Sequence, residues 1–502
     1  MSNSHVETSA AGSQIEDEKA SVEKYRVSND VTGTFAEDIN PNAERALIRK
    51  LDVAFLPLFT LIYMLNFVDR TAIGNAKIAG LEHDLGMAGV DYNVMLTIFF
   101  LAYFIFEIPS NLALKHFGSV WLALMVVIFG IATICTAFVQ NYGGLIATRV
   151  ILGIAEGGML PGLSYILSRY YRRSELVMRI GVFVGLGPSL AGAFGGLLAS
   201  GLLHISDIGT VKSWRKIFLV EGVITTGIGL LCVLFMPADP QKTRLLSEPE
   251  RALALARLSA DQVIATRGRK ERTTLRLVIR AFNFNTAIYA LCFILVNISF
   301  QGLSLFLPTV VASLGHFTTV ESQLRTVPPY VVSAVWALVN AYISLRMKKR
   351  AVPLIVSALL MVIGYVIAVG TKNDHARYAA CFLSIAGSAP TGPMLVTWGA
   401  DNAAPDTVKA VTTALIPCFG VVGSIIAVWT YLPADAPNFH QGNSLNLATS
   451  ILTCILVAIG AAYVRWENGK RERGERDYRL VGKSEDELVQ LGSLHPSFRY
   501  QI

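Results

Sequence analysis

Apolar blocks of roughly twenty residues recur twelve times along this chain, each long enough to cross the hydrocarbon core of a bilayer as a helix. They run Leu51–Asn75, Tyr92–Leu114, Val120–Val139, Gly144–Leu167, Leu176–Leu203, Ile217–Met236, Phe284–Val311, Val327–Leu345, Val352–Gly370, Ala376–Gly399, Val408–Leu432 and Leu445–Val464. One such block could be a buried core helix of a soluble protein. A dozen cannot, because no water-soluble core has room for them. Composition agrees: 53% of the 502 residues are hydrophobic and 16% charged, against about 25% charged in an ordinary soluble domain. In lipid every backbone polar group must be satisfied within the protein, so the blocks read as helices and the fold class as an all-α membrane protein.

One long connection, Pro237 to Asn283, divides the blocks six and six. The expected organisation is a tail over 1–45, a six-helix bundle over 46–236, a central loop over 237–283, a second six-helix bundle over 284–465 and a tail over 466–502. The first forty or so residues are polar, acidic and Ser-rich, with no apolar core after a basic start. That is no signal peptide, and it reads as a disordered tail. In the central loop, Ser247 with Glu250 forms a capping box and Pro249 suits a first turn, so a surface helix is expected there, acting as a strut.

Basic residues sit at block ends. Arg45, Arg49, Lys50, Lys115, Arg169, Arg172, Arg173, Arg346, Lys348, Lys349 and Arg350 fall on the side shared with the central loop, and the loops after blocks three and eleven hold none. Lys212, Arg215 and Lys216 run against the trend. The bias places both termini in the cytosol. The net charge of +7 and pI near 9.0 therefore reflect topology signals, and nucleic-acid binding is excluded as a function. All six cysteines lie inside apolar blocks without metal-site or disulfide spacing, and read as small buried hydrophobes. No nucleophile–base set, metal motif or nucleotide loop is visible, so the chain is expected to be no enzyme and to need no cofactor.

A charge at mid-bilayer costs about 2.5–3.5 kcal/mol on insertion scales, so each one within a block demands a reason. Asp69 and Arg70 lie late in the first block. Arg149 and Glu156 lie in the fourth, seven residues apart and hence on one helix face. The bland reading is that each acid neutralises an arginine and ties helices together. The functional reading makes Arg70 and Arg149 anion receptors, since a guanidinium fork grips a carboxylate through two bonds. Asp69 and Glu156 are then proton-coupling acids: a substrate carboxylate that captures their arginine leaves the released acid easier to protonate.

Other polar residues are weaker candidates. Tyr103, Gln301, Trp398 and Asn402 are candidate cavity-lining groups, although each also suits an interhelical hydrogen bond or an interfacial aromatic. Glu107, Asn111 and Lys115, at the end of the second block, read as a gate or latch. Gly181/Gly185 and Gly192/Gly196 have the small-xxx-small spacing of helix contacts, and Gly157, Gly158, Pro161 and Gly162 loosen the fourth helix beside Glu156.

Four stretches together carry a family resemblance: Val68–Leu81, Phe106–Asn111, Arg149–Gly162 with Tyr165, and Asp435–Gly442. In this order they resemble the fungal allantoate-permease branch (anion:cation symporters) of the major facilitator superfamily, over nearly the whole chain from Asp52 to Val464. The resemblance implies two six-helix bundles rocking about a midplane site, and proton-driven uptake of a small organic anion such as a vitamin carboxylate, ureide or sugar acid. Related organic-anion carriers place an Asp-Arg pair in the first helix and an Arg…Glu pair in the fourth, which match Asp69, Arg70, Arg149 and Glu156; an aromatic at Tyr103 also matches. The chain departs from the branch at Asp401-Asn402 and Gly423-Ser424, where Asn-Asn and Gly-Asn are expected.

The expected partners are an organic anion, protons and the lipid bilayer, with the proton gradient as driving force, and the expected form is a monomer in the plasma membrane. Export of a secondary metabolite by the same fold is the chief alternative. A nutrient sensor signalling through its tails is the third.

Overall fold

The computed structural model describes residues 41–207, 209, 211–237, 240–241, 243–266, 274–315, 317–347, 349–483 and 485–502. The expected disorder of the first forty residues and the basic position Lys348 fall outside these. The described chain is helical, and twelve helices are long and apolar enough to cross a membrane. They are α1 (Pro41–Ile78), α2 (Asp91–Phe117), α3 (Ser119–Thr136), α4 (Tyr142–Ser168), α5 (Arg173–His204), α6 (Arg215–Phe235), α7 (Phe284–Ala312), α8 (Thr319–Met347), α9 (Ala351–Gly370), α10 (Asp374–Asp401), α11 (Asp406–Val428) and α12 (His440–Glu472). Each apolar block of the sequence falls on one of them, the third, sixth and eleventh blocks running past the helix end, to Val139, Met236 and Leu432. α1 starts at Pro41, several residues before the expected bundle boundary, with proline in the first turn, where its missing N–H costs nothing. Large side chains such as Leu234, Phe235, Val335 and Ile363 stay exposed on the outer surface, as a lipid-facing belt requires.

Glycine lets backbones meet within each half. A Cβ on Gly222 of α6 would sit 2.6 Å from the Ile134 amide nitrogen of α3, and one on Gly130 would sit 2.6 Å from that of Thr226. Helix α4 is interrupted at Gly157 and Gly158, into Tyr142–Glu156 and Met159–Ser168, as the glycines there led one to expect. Gly153 and Gly157 press on the Phe99 and Tyr103 carbonyls of α2, which brings Tyr103 and Glu156 together.

The halves touch through α1 on α7, α5 on α8 and α2 on α11. The expected glycine contact on α5 is made by one pair only. Gly192 faces the Tyr330 ring and Gly196 faces Thr326 of α8, whereas Gly181 and Gly185 have nothing within 4 Å of their Cβ positions.

Call the end where α1 starts and α12 finishes the near end. Hydrogen bonds between the halves gather at the opposite, far end: Asn93 to the Val428 carbonyl (2.6 Å), Trp429 to Thr97 (3.1 Å), Gln323 to the Asn75 carbonyl (3.4 Å) and Thr319 to the Ile78 carbonyl (3.4 Å). Tyr92, Phe306, Tyr431 and Phe439 form a chain of edge-on and tilted ring contacts there, and the Lys77 ammonium lies 4.0 Å from the Tyr92 ring centroid.

At the near end, the expected surface helix is present as Glu248–Thr266, its start fixed by Ser247 donating to the Glu250 carboxylate from backbone N–H and hydroxyl. The Lys50 ammonium 2.7 Å away, with those bonds, holds the Glu250 carboxyl below its ordinary range. Arg257 on this helix is 1% exposed and bridges Glu44 of α1 (2.8 Å) and Glu175 of α5 (2.7 Å). The segment after α12 is ordered too. Arg471 donates to the carbonyls of Ser493, His495 and Phe498, and Arg280 to those of Gln490 and Leu491.

Candidate functional site

Between the halves, at mid-depth, lies a cavity of about 100 Å³. Its first-half wall includes Tyr63, Phe67, Arg70, Phe100 and Tyr103, and its second-half wall includes Phe293, Asn297, Phe300, Gln301, Ser388 and Ser424. Pro188, Pro393 and Pro417 lie on its surface, where irregular backbone is tolerable because it faces a cavity. Toward the far end the walls close on a hydroxyl cluster of Thr71, Ser189, Ser304, Ser333 and Ser388, with room for about one water-sized sphere. Ser189 and Ser333 meet across the halves at 3.1 Å.

Arg70 is the charge on this wall. Its Nε and Nη2 both donate to one oxygen of Glu156, at 3.1 and 2.9 Å, and Nη2 also reaches Asn66 at 3.4 Å. The guanidinium carbon lies 4.7 Å from the Phe67 ring centroid, 5.1 Å from Tyr103 and 5.5 Å from Phe99, so aromatic faces hold the cation where water is scarce. Glu156 is fully buried, and its second oxygen has no hydrogen-bond partner. The pair spans α1 and α4. Arg70 is the cation in direct contact with Glu156, and a competing anion in the cavity could draw it away.

Two expected pairings are therefore corrected. Asp69 does not pair with Arg70, although they are adjacent, because successive helix positions point about 100° apart. Arg149 and Glu156 share a face of α4, yet Glu156 is taken by Arg70 from α1. Arg149 is not a cavity-lining anion receptor here either. It is 2% exposed, stands 5.1 Å from the Phe218 ring centroid of α6, and reaches the Asp69 backbone carbonyl at 3.5 Å.

Of the weaker candidates, Tyr103 and Gln301 line the cavity. Trp398 and Asn402 do not. Trp398 is fully buried and its indole N–H donates to the Gln501 carbonyl, while Asn402 bonds to the Tyr289 hydroxyl and to both backbone groups of Gln501. These side chains fasten the terminal segment to α7 and α10 at the near end. Glu107 lies one turn beyond Tyr103, with Tyr63 and, from the other half, Cys418 as electrostatic neighbours, which puts it beside the cavity on its near-end side. Asn111 donates to the Glu107 backbone carbonyl at 2.7 Å, and Lys115 is exposed.

Sequence reasoning missed Tyr63, Asn297 and Glu221. Asn297 donates to Gly420 (2.6 Å) and Ser424 (2.7 Å) of α11, and Glu221 is a 1%-exposed acid in α6. Both were visible as polar residues inside apolar blocks.

A sequence profile of the Major Facilitator Superfamily matches residues 59–428. An uncharacterized transporter of Schizosaccharomyces pombe is 31% identical over 468 residues, 92% of this chain and 91% of the relative. The MFS-type transporter efuF of Hormonema carpetanum is 30% identical over 440 residues, 86% of this chain and 88% of its own. Among solved structures, the D-xylose-proton symporter superposes with a TM-score of 0.62 at 14% identity, over 80% of this chain and 96% of that one, a likeness of fold. With twelve spans in two six-helix halves around one central cavity, the chain belongs to the Major Facilitator Superfamily and is a multi-pass membrane transporter.

Proposed function

We propose that the chain takes up a small organic anion together with a proton, by alternating access, as a member of the allantoate-permease-like branch. The observation that carries this reading is Arg70: a caged guanidinium on the cavity wall, whose ion-pair partner is a buried acid. A carboxylate entering the cavity offers Arg70 two oxygens in the geometry its fork favours. Glu156 then loses its counter-charge in a dry site and gains proton affinity. Anion and proton thus strengthen each other's binding, which is the thermodynamic condition for symport. Gln301 and Asn297 of the second half supply hydrogen bonds to the body of the substrate. With the near end in the cytosol, the state described here is closed outward, and the protein acts as a monomer in the plasma membrane.

The test is pH-dependent uptake of a panel of radiolabelled monocarboxylates in cells lacking their own carriers. Uptake of at least one that rises on external acidification, and is lost in Arg70→Ala at equal surface expression, is the expected result. A second reading, export of a secondary metabolite, draws support from the aromatic lining of Tyr63, Phe67, Phe100, Phe293 and Phe300, which suits a ligand with a large apolar body. Efflux from preloaded cells with no uptake would favour it.

A further inference from the structure

Lys77 lies in the last turn of α1, seven residues beyond Arg70. Seven residues are two helical turns, so the two cations share one face of α1, about 10 Å apart along its axis. That face looks onto α7. Phe67 meets the Phe300 ring at 6.0 Å, a Cβ on Gly74 would collide with the Leu305 carbonyl oxygen, and the Lys77 ammonium lies 5.5 Å from the Phe306 ring centroid. From the first half, the Tyr92 ring of α2 covers the same ammonium at 4.0 Å, and Tyr92 meets Phe306 across the halves at 5.6 Å. The Lys77 side chain is 9% exposed, and its carboxylate partner is Glu82, 3.3 Å away and itself 36% exposed.

A lysine at a helix C-terminus is ordinarily explained by the helix dipole and by its hold on a nearby acid. Both would be served as well at an open surface. They leave the cover unexplained: rings from two halves close over a strongly hydrated ammonium, and one ring belongs to the half that moves away when the far end opens. Parting α7 from α1 removes Phe306 and leaves Lys77 with Tyr92 and with Glu82, whose hold is screened by solvent. It also uncovers the stripe between the two cations, where Gly74 carries no side chain. The contact of Gly74 with Leu305 is therefore the seal that separates Lys77 from Arg70 in the state described here.

We infer that Lys77 is an outer receiving site for the substrate's carboxylate, uncovered when the far end opens and placed to pass the anion along α1 to Arg70. The inference rests on the reading of Arg70 as the anion receptor and of the far end as the outward one. The two cations suit the two stations. An ammonium is a point charge without a fork, so it attracts an anion from any approach and releases it readily, whereas the guanidinium deeper in grips it through two bonds. A positive charge at the mouth of a cleft with low-dielectric walls also raises the encounter rate of anions. On closure the Phe306 ring takes the carboxylate's place at the ammonium, and a cation–π contact offsets part of the lost hydration. The outer station is emptied as the inner one is sealed.

The first test treats the full chain in lipid nanodiscs with sulfosuccinimidyl acetate and reads acetylation of Lys77 by peptide mass spectrometry, with the exposed Lys115 of the near end as internal reference. At matched ionic strength, benzoate should slow acetylation of Lys77 several-fold relative to Lys115, while benzamide, neutral and of the same shape, should not. Equal rates with the two compounds overturn the outer site. So does a failure of Lys77 to react both in the wild type and in Asn93→Ala, which loses a bond between the halves at the far end. The second test is in cells, where Lys77→Met keeps an apolar stem against the rings without the charge. It should raise KM for monocarboxylate uptake about tenfold and flatten its dependence on external ionic strength, and Lys77→Arg should retain that dependence. A lysine serving only as a brace would leave the salt dependence of Lys77→Met as steep as that of the wild type. If benzoate protects Lys77 but no carboxylate is taken up, the proposed function fails while the outer site stands. If uptake is proton-driven yet Lys77→Met keeps the wild-type KM and salt dependence, the outer site falls while the function stands.

Discussion

Arg70 and Arg149 carry the same guanidinium on neighbouring helices, and their surroundings give them different tasks. Arg70 faces the cavity with two nitrogens on one carboxylate oxygen and aromatic rings about it, whereas Arg149 is packed against Phe218 behind α1. Lysine keeps the charge but has neither fork nor planar face. Arg70→Lys should therefore lower uptake ten- to a hundredfold, the equivalent of one charge-assisted bond of about 1.5–3 kcal/mol, with surface expression unchanged as measured by labelling. Glu156→Gln should give uptake that no longer responds to external pH, since an amide cannot exchange the proton; a wild-type pH profile in this variant would remove Glu156 from the coupling. The sequence already marked Asp69, Arg70, Arg149 and Glu156, because charge inside an apolar block is conspicuous. Which acid meets which arginine was not legible. That depends on how α1 and α4 are rotated against each other, and no one-dimensional spacing records rotation. Glu221 lay in the same kind of block and could have been found by the same rule.

At the scale of helices, glycine sets which pairs approach most closely. Valine at Gly222 would drive its Cβ into the α3 backbone, with Ile134 N at 2.6 Å and Gly130 O at 2.8 Å. Overpacking of this kind costs about 1–3 kcal/mol or more. Gly222→Val should lower the midpoint of thermal unfolding in detergent, while Gly185→Val, with open space at its Cβ, should leave it near the wild-type value. The equal spacing of Gly181/Gly185 and Gly192/Gly196 hid this distinction, since only the second pair faces α8. The helix Glu248–Thr266 behaves as the capping signal implied. Its hold on α1 and α5 through Arg257 was not foreseeable, as it joins residues more than eighty positions apart. Arg257→Ala should cost about 2 kcal/mol of that attachment, seen as faster proteolysis within the central loop.

The whole molecule is fastened at its far end and parted around a mid-depth cavity. Asn93 is fully buried and its bond to Val428 joins α2 to α11. Asn93→Ala removes about 1 kcal/mol from the closed end and should shift the balance of the two access states about fivefold toward far-end opening. Spin-label distances across that end would report the change. The twelve-span, two-half design was legible from the outset because a bilayer demands long unbroken apolar runs. The ordered segment beyond α12 was not, since its ties are backbone carbonyls, which any sequence supplies.

At mid-depth the ionisable groups Asp69, Arg70, Arg149, Glu156 and Glu221 all belong to the first six helices, while the second half meets the cavity with amides, hydroxyls and phenyl rings. On the proposed reading, the charge that grips the anion and couples it to the proton is housed in one inheritable module, and the amides that fit the rest of the ligand in the other. Exchanging α7–α12 among kindred carriers should change what is carried while the fuel stays the same.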